Sequence, residues 1–375
     1  MLAAEQEYKI VTVAGNRPEI IKLSEFVRVL SQKGYNHSFV YTGQHFSQNM
    51  RDVFLKDLNV EFDYDLMSST SDVEVMRHNI YKFLVNTNPQ FVIVYGDTNS
   101  TVAGALAAKD AHCELIHIEA GLRSFDLMRA EERNRIIIDG AADYHFAPTE
   151  LNRLFLKIEK PNSSPYVTGN LIVDVCRKYV KKATELPMDH GVPKEFVLLT
   201  VHRQESVDDA GTLGQLSSLL SKLQYQVVFP IHPRTKINLS KHNILLPKNV
   251  ICIDAVGYRE FLGLLSKCSI VMTDSGGVQE EAVILGRPCI TLSNTTERQE
   301  TLLMGANRLF FPMDGAQQKS SISDIVEEML ARKITTNPYG ENVTQQAVSA
   351  LDDVLDKNKS PVVSQAHADD LKSLA

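Results

Sequence analysis

Several features that place a sequence in a special class of protein are missing from this chain. No uninterrupted apolar stretch is long enough to span a bilayer, and no long basic run is present. The formal net charge is −7, so we do not expect general binding to nucleic acid. The segment 1–10 is too polar and acidic for a secretion signal, which predicts a cytoplasmic protein without a membrane partner.

Cysteine pairs are missing as well. The five cysteines are scattered, odd in number and without a C-x-x-C spacing, which predicts neither a zinc site nor a disulfide framework. Most of them lie in or beside apolar runs, so we expect buried free thiols in a reducing compartment. They are Cys113, Cys176, Cys252, Cys268 and Cys289.

An alternation of strands and helices fills the chain. Apolar residues make up 43% of the 375 residues, which is enough for substantial cores. Fully apolar segments such as Phe91–Tyr95 precede segments of helical spacing such as Thr101–Ala111, a pattern typical of parallel sheets covered on both faces. The pattern restarts in the second half. We therefore predict an α/β protein with two Rossmann-like domains facing each other across a cleft, at 1–169 and 170–356, with 357–375 able to join the first.

One glycine turn stands out in the second half. The segment Thr273–Ala282 reads Thr-Asp-Ser-Gly-Gly-Val-Gln-Glu-Glu-Ala between an apolar run and a helical pattern, and this geometry aims free backbone N–H groups at an anion. The pair Gly276–Gly277 would let a phosphate approach the main chain, and the Ser275 hydroxyl would add a donor. Of Glu280 and Glu281, at least one is expected to face ribose hydroxyls. The alternative is that acidic residues simply suit the first turn of a helix.

Nearly every unusual polar segment follows a predicted strand. In parallel sheets this is the carboxyl edge, where ligands bind, and facing domains would place both edges on one cleft. Arg17 and Lys22 lie about one turn apart after the first strand, so both would reach a diphosphate. Two solvated helix charges are the alternative.

Three carboxylates are candidates for acid–base chemistry. Asp97 and Glu119 end central strands, and Glu131 begins a helical segment. Carboxylates crowded into a dry cleft acquire different pKa values, so one can hold a proton while another removes one. Asp97 also suits a helix cap, and Glu131 also suits a helix start.

Two histidines are further candidates. His202 follows a strand and would bind phosphate or protonate a leaving oxygen, and His232 lies between two prolines. For both, a structural, hydrogen-bonded histidine is the alternative. The segment Thr295–Arg298 would close over a phosphate or a sugar, unless it is only a charged surface turn.

Taken in order, these segments resemble the non-hydrolysing UDP-N-acetylglucosamine 2-epimerases. The resemblance runs from Val11 to about Leu302, and the number of matching motifs in the same order makes it specific. The motifs are Gly15–Lys22, Thr42–His45, Gly96–Ala108, His117–Ser124, Glu131–Asp139, Ala147–Thr149, Thr200–Glu205, Asp274–Pro288 and Thr295–Glu300.

The resemblance implies a two-domain fold similar to the GT-B glycosyltransferases and a homodimer. It also implies reversible inversion of C2 between UDP-GlcNAc and UDP-ManNAc, for surface polysaccharide or glycan synthesis. UDP would leave by anti elimination, 2-acetamidoglucal would form, and UDP would add again, without NAD or a metal. The alternatives are a hydrolysing relative that releases ManNAc and UDP, and a non-catalytic UDP-sugar-binding protein.

Matching motif positions imply roles for individual residues. Asp97, Glu119 and Glu131 would be the catalytic carboxylates, and His202 the catalytic histidine near the diphosphate. Phe261 would lie against the uracil. The residues that resemble the UDP-binding set are Arg17, Lys22, Phe261, Ser275, Gly276, Glu281 and Arg298.

Departures from the family pattern concern the sugar and regulation. Asn16, Ala130, Ser293 and Gln299 stand where the family usually has Thr, Pro, Arg and Pro, so the hexose stays open between GlcNAc, FucNAc and a diacetamido uronic acid. Departures after Gln44-His45 and after His202-Arg203, at Phe46 and Gln204, predict weak or absent allosteric activation by substrate.

Overall fold

The computed structural model describes residues 8–43, 58, 60–184, 191–311 and 321–359, apart from the side chains of residues 204 and 205. Within these ranges the first half of the chain forms one sheet. Its strands are β1 Ile10–Ala14, β2 His37–Tyr41, β3 Tyr64–Asp65, β4 Phe91–Tyr95, β5 Glu114–Ile118, β6 Tyr144–Ala147 and β7 Tyr166–Val167. Their order is β3-β2-β1-β4-β5-β6-β7, and all pairs are parallel. The helices of this half are α1 Arg17–Gln32, α2 Val73–Thr87, α3 Asn99–Asp110, α4 Ala130–Ala141 and α5 Glu150–Glu159.

The second half forms another parallel sheet. Its strands are β8 Val197–Thr200, β9 Val227–Pro230, β10 Val250–Ile253, β11 Ile270–Thr273, β12 Cys289–Thr291 and β13 Asn307–Leu309, in the order β10-β9-β8-β11-β12-β13. The remaining helices are α6 Ile172–Thr184, α7 Gln204–Val207, α8 Ala210–Ser221, α9 Pro233–Lys241, α10 Tyr258–Lys267, α11 Gly276–Ile284, α12 Gln299–Leu303, α13 Ile322–Leu330 and α14 Val343–Asn358. The predicted architecture of two parallel, Rossmann-like sheets is confirmed.

Each sheet is buried on both faces, which explains its continuous apolar strands. In β1, Ile10 packs into a core that includes α1, whereas Val11 and Val13 pack into a second core with residues of α2 and α3. In β8, Leu199 likewise packs into one core and Leu198 into another. Parallel sheets need this double cover, and burial of the apolar side chains is the main term that stabilises it.

The chain crosses between the two sheets at two places that touch each other. Gly169 has a φ of 81°, and a Cβ on it would lie 2.5 Å from the carbonyl oxygen of Tyr339. The backbone N–H of Asn170 donates to that same oxygen over 3.2 Å. A side chain at residue 169 would therefore force the two crossings apart.

The last described helix packs on the first sheet. α14 contacts α1 and β6, and Tyr35 and Tyr166 donate hydrogen bonds to Asp352 and Asp353 of α14. Helix 343–358 thus lies beside the first sheet, although the sequence analysis placed it in the second domain. The segment 360–375 lies outside the described residues, and the division at residue 169 stays a prediction.

Two sequence expectations concern the chain as a whole. The five cysteines are free thiols, and four are buried whereas Cys252 is exposed. Within the described ranges, no helix combines the length and the apolar character that crossing a membrane requires.

Candidate active site

A cavity of about 450 Å³, here called the cleft cavity, lies between the carboxyl edges of the two sheets. Eight residues singled out from the sequence line it: Arg17, Lys22, His202, His232, Phe261, Ser275, Gly277 and Glu281. They come from the start of α1 in the first half and, in the second, from α10, the glycine turn with α11, and the segments after β8 and β9. Because both sheets contribute, the cleft exists only in the folded two-sheet structure.

The start of α1 is fixed by a reciprocal cap. The Asn16 side chain accepts a hydrogen bond from the Glu19 N–H over 3.1 Å, and the Glu19 carboxylate accepts in return from the Asn16 N–H over 3.3 Å. The same carboxylate also accepts from the Gly15 N–H over 2.7 Å. Burial raises the pKa of Glu19 to about 7. Asn16, where the family pattern has Thr, therefore retains the capping role, and the cap holds Arg17 and Lys22 at the cavity.

Four buried charges form what we call the ionic cluster: Lys22, Glu119, Glu280 and Arg298. Lys22 Nζ lies 2.6 Å from Glu119 Oε2 and 2.9 Å from Glu280 Oε2. Arg298 Nη2 lies 3.0 Å from Glu119 Oε1, and its Nε lies 2.5 Å from Glu280 Oε1. Each cation therefore joins a carboxylate of the first half of the chain to one of the second half.

The two carboxylates of the cluster differ in basicity. Burial of Glu119 raises its pKa, but the charges of Lys22 and Arg298 outweigh burial and lower the pKa to about 2. For Glu280, which is fully buried, burial prevails and raises the pKa. The Tyr95 hydroxyl donates to Glu119 Oε2 over 2.5 Å, and Asn170 Nδ2 donates to Glu280 Oε1 over 2.8 Å.

Glu119 occupies an unusual backbone conformation. Its φ is 74°, a left-handed value that costs free energy for a residue other than glycine. The residue comes directly after β5, and its N–H and that of Ala120 both donate to the Phe146 carbonyl over 3.1 Å. Such strain at a buried, charged residue is typical of a functional site.

Asp97 is held by an arginine that the sequence analysis did not single out. Arg135 Nη2 lies 2.6 Å from Asp97 Oδ2 and 3.8 Å from Glu297 Oε1. Arg298 Nη1 lies 3.8 Å from the same Glu297 oxygen. A chain of alternating charges, Asp97–Arg135–Glu297–Arg298–Glu119, therefore links two of the three predicted catalytic carboxylates.

Glu131 lies elsewhere in the cleft. It is exposed at the start of α4 and lines a second cavity of about 470 Å³, the side cavity, which also borders Val201 of the cleft cavity. Arg129 Nη2 donates to Ser293 Oγ in this cavity over 2.8 Å. Ser293 is one of the departures from the family pattern, so this bridge between the two halves involves a residue particular to this chain.

His202 and His232 have different surroundings. The His202 side chain is 46% exposed, and its backbone N–H donates to Asp274 Oδ2 over 3.0 Å. His232 accepts from the Arg234 N–H through Nδ1 and caps α9, which is the structural alternative considered for it. Burial lowers the pKa of His232, and the two rings lie 5.9 Å apart.

Gly276 and Gly277 have different roles. Gly277 lines the cleft cavity, and a Cβ on it would meet nothing nearer than Ser275 Oγ at 3.9 Å. Gly276 does not line that cavity, and a Cβ on it would lie 2.3 Å from Glu297 Oε1. Gly276 is therefore required for the approach of Glu297, a reason that the sequence did not reveal.

The acidic pair after the glycines faces two directions. Glu281 lines the cleft cavity, where burial raises its pKa to about 7 although its hydrogen bond with Tyr258 acts in the opposite sense. Glu280 faces the ionic cluster. The sequence predicted that at least one of the two would face away from phosphate, and it gave no sign that Glu280 pairs with Lys22.

Some expectations are not tested by this geometry. Arg298, expected to contact UDP, is buried in the ionic cluster and outside the lining of the cleft cavity. Gln44, His45 and Phe46 and the side chain of Gln204 lie outside the described residues, so the prediction about allostery stays a prediction. In the described part of the chain, no three His, Cys, Asp or Glu side chains are grouped to hold a metal ion.

Comparison with known proteins identifies the family. The family model described as UDP-N-acetylglucosamine 2-epimerase matches residues 28–352. A UDP-N-acetylglucosamine 2-epimerase of Methanococcus maripaludis is 38% identical over 364 residues, covering 89% of this chain and 95% of that protein. A UDP-2,3-diacetamido-2,3-dideoxy-D-glucuronate 2-epimerase of Pseudomonas aeruginosa is 37% identical over 313 residues, covering 80% of this chain and 88% of that protein.

A solved structure matches across both sheets. The UDP-GlcNAc 2-epimerase of Methanocaldococcus jannaschii, in complex with UDP-GlcNAc and UDP, has a TM-score of 0.81 to this chain. The two are 35% identical, and the match covers 92% of this chain and 99% of that one. The fold is therefore GT-B-like, and the chain belongs to the UDP-N-acetylglucosamine 2-epimerase family.

Proposed function

We propose that this protein interconverts UDP-GlcNAc and UDP-ManNAc by inverting C2, without net hydrolysis. The observation that carries the proposal is the position of Lys22, which lines the cleft cavity and binds the buried carboxylate of Glu119. A cavity that suits a nucleotide thus adjoins a carboxylate that can exchange a proton. The binding of UDP-GlcNAc by a structural relative supports the same substrate.

The lining residues suit the three parts of UDP. Phe261 would lie against the uracil, and Glu281 would accept hydrogen bonds from the ribose hydroxyls. Arg17 and Lys22 would bind the diphosphate together with the Ser275 hydroxyl and the main chain at Gly277. The sugar would then extend toward the carboxylates of the first sheet.

The reaction requires a base and a stabilised leaving group. A carboxylate would remove the C2 proton while the C1–O bond breaks, giving 2-acetamidoglucal and UDP. A C2–H beside an acetamide is a poor acid, so positioned carboxylates and cations around the leaving diphosphate must lower the barrier. Protonation of C2 on the opposite face and re-addition of UDP to C1 would complete epimerisation. Asp97, Glu119 and Glu131 are the candidates for these proton transfers, with His202 near the diphosphate.

A second sugar is favoured by one observation. Arg129 reaches the side cavity beside Glu131 and binds Ser293. The family pattern has Arg at the position of Ser293, so Arg129 brings a guanidinium to the same place. An arginine here would bind the carboxylate of a uronic acid, and one relative is named for a diacetamido glucuronate. UDP-2,3-diacetamido-hexuronate is therefore the alternative substrate. We also propose that the protein acts as a cytoplasmic homodimer supplying glycan synthesis.

Proton NMR in heavy water tests the proposal. Purified protein with UDP-GlcNAc should incorporate deuterium at C2 and form UDP-ManNAc, and Asp97→Asn should abolish both signals. Free ManNAc with UDP would identify a hydrolysing enzyme instead. If neither deuterium nor a new sugar appears with UDP-GlcNAc or with the diacetamido hexuronate, while UDP still binds by calorimetry, the protein is a binding protein. The same assay on the diacetamido hexuronate decides between the two sugars.

A further inference from the structure

Lys22 belongs to two sites at once. Lys22 lines the cleft cavity beside Arg17 and Ser275, and its ammonium closes the ionic cluster with Glu119 and Glu280. A diphosphate entering the cavity competes with both carboxylates for this ammonium. Phosphate oxygens and carboxylates are the same kind of partner for a lysine, so the competition is direct.

The charge balance of the cluster depends on Lys22. With it, two cations face two carboxylates, and Glu119 and Glu280 are 6% and 0% exposed. Without it, Arg298 alone faces both carboxylates in a buried site. A buried carboxylate that loses its partner is strongly destabilised in its ionised form, and it responds by taking up a proton.

The hydrogen bonds indicate which of the two carboxylates would take up a proton after the loss of Lys22. Without Lys22, Glu119 keeps a donor on each oxygen, because Tyr95 donates to Oε2 over 2.5 Å and Arg298 Nη2 donates to Oε1 over 3.0 Å. Glu280 keeps Asn170 and Arg298 at Oε1. Its Oε2 is buried, receives no donor in hydrogen-bonding geometry, and has Lys22 as its ion-pair partner at 2.9 Å.

We propose that the diphosphate of the substrate draws Lys22 away from the ionic cluster, and that Glu280 then takes up a proton from solvent at Oε2. This inference rests on the proposed function, because it requires a UDP-sugar in the cleft cavity. One O–H bond forms on Glu280, and the proton comes from water or buffer. Glu280 does not line the cleft cavity and would act through Lys22 and Arg298, so it is a positioning residue.

The exchange has a catalytic consequence. In the free protein Lys22 and Arg298 hold the pKa of Glu119 near 2, which makes it a weak base. Departure of Lys22 removes one of these charges, so Glu119 becomes more basic when the substrate is in place. Burial already raises the pKa of Glu280, which is consistent with its role as the proton acceptor.

Other charged and titratable groups surround Glu280. They belong to α1, β4, β5, α6, α11, α12 and the second crossing between the sheets, and their charges bear on the proton count. They are Lys22, Tyr95, Glu119, Cys176, Glu281, Arg298, Glu300 and Tyr339. Of these, Glu281 and Glu300 have pKa values of about 7, so both can exchange protons near pH 7, and Glu281 also lines the cavity.

Calorimetry in buffers of different ionisation enthalpy measures how many protons the protein takes up when the ligand binds. UDP-GlcNAc, equilibrated beforehand with the protein so that no net turnover adds heat, is titrated at pH 7 into wild type and Glu280→Gln. A diphosphate diester has no proton to exchange near this pH, so the count belongs to the protein. We expect wild type to take up about one proton more than Glu280→Gln. Glu327→Gln, at an exposed position on α13, should match wild type.

Two further variants keep the test decisive. Lys22→Gln should also lack the uptake, because Glu280 has already lost its partner before the ligand binds. Glu119→Gln should retain it, because Glu280 is still the acceptor. Circular dichroism establishes that each variant is folded, and if Glu280→Gln does not fold, Lys22→Gln decides.

The outcomes separate the inference from the proposed function. Binding with equal proton counts in wild type and Glu280→Gln, or in wild type and Lys22→Gln, overturns the inference and leaves the function standing. If neither UDP-GlcNAc nor UDP binds to wild type, the proposed function fails, and the inference fails with it.

Discussion

Arg135 binds Asp97, with Nη2 2.6 Å from Oδ2, and the same guanidinium reaches Glu132 through Nη1 over 2.7 Å. Because a guanidinium is planar, one side chain orients both carboxylates. Burial lowers the pKa of Arg135, but the charges of Asp97, Glu297 and Glu132 outweigh burial and raise it. The cation is therefore permanent, and the orientation of Asp97 depends on it.

We predict that Arg135→Lys keeps the charge but loses the orientation of Asp97. Loss of one charge-assisted hydrogen bond, about 1.5–3 kcal/mol, would lower kcat roughly 10- to 100-fold with a smaller change in KM. Initial rates of epimerisation measure both constants. The control is Arg133→Lys on the exposed face of the same helix. Equal rates for Arg135→Lys and wild type would show that Asp97 does not need this partner.

Alanine variants of Gly276 and Gly277 separate an effect on packing from an effect on ligand binding. A Cβ at residue 276 would lie 2.3 Å from Glu297 Oε1, whereas at residue 277 nothing is nearer than 3.9 Å. Gly276→Ala should displace Glu297 from its cations and lower the free energy of unfolding by about 1–3 kcal/mol, as overpacking does. Gly277→Ala should instead weaken UDP binding, because residue 277 lines the cleft cavity.

Urea unfolding and UDP titration distinguish the two glycine variants. The expected result is a stability defect in Gly276→Ala and an affinity defect in Gly277→Ala. If Gly276→Ala is as stable as wild type, then Glu297 has room to move, and the assigned role of Gly276 is wrong.

We predict that recognition of the ribose strengthens as pH rises through about 7. Burial raises the pKa of Glu281 to about 7, so its carboxylate is ionised only above that pH. An ionised acceptor makes a hydrogen bond roughly twice as strong as a neutral one. The affinity advantage of a UDP-sugar over its 2′-deoxy analogue should therefore grow from pH 6 to pH 8.

Glu281→Gln should make that advantage independent of pH. The comparison between the two nucleotides cancels proton uptake elsewhere in the site, since both carry the same diphosphate. An advantage that is already independent of pH in wild type would contradict the contact between Glu281 and the ribose.

The buried carboxylate of Glu300 should make the stability of the protein depend on pH. Burial raises the pKa of Glu300 from 4.5 to about 7, and Tyr339 donates a hydrogen bond to it over 2.7 Å. A raised pKa contributes stability that is fully present below about 4.5 and is lost as pH rises through about 7. The shift corresponds to about 3 kcal/mol at most.

Glu300→Gln keeps the shape and an acceptor for Tyr339 but cannot ionise. Its free energy of unfolding relative to wild type should therefore be higher at pH 8 than at pH 5, as urea unfolding at the two pH values would measure. Glu327→Gln, on the exposed face of α13, is the control. An equal difference at pH 5 and pH 8 would show that folding does not raise the pKa of Glu300.

Much of the fold is visible in the sequence. The strand Phe91–Tyr95 has the same bounds in the structure as its apolar pattern predicts, and the predicted helical segment Thr101–Ala111 overlaps α3 Asn99–Asp110. Buried parallel strands read as continuous apolar runs that stop at the carboxyl edge. The positions of Ser275 and His202 directly after such runs therefore predicted that both residues lie in one cleft.

The pairing of charges across the cleft was not visible. Lys22 and Glu280 form an ion pair although 258 residues separate them, and Arg135 meets Glu297 in the same way. A charged residue in a turn has the same local pattern whether it is solvated or buried against a partner. The pairing of Glu280 with Lys22 was consequently not predicted, and Arg135 was not singled out at all.

The sequence by itself determined the α/β class, the two sheets and the edge at which the site lies, because apolar periodicity and turn residues are local properties of the chain. Only the tertiary structure decided which carboxylate each cation neutralises, that Gly276 lies against the carboxylate of Glu297, and that Lys22 serves both the cavity and Glu119. These depend on distances between residues far apart in sequence, and burial gives those distances their electrostatic effect.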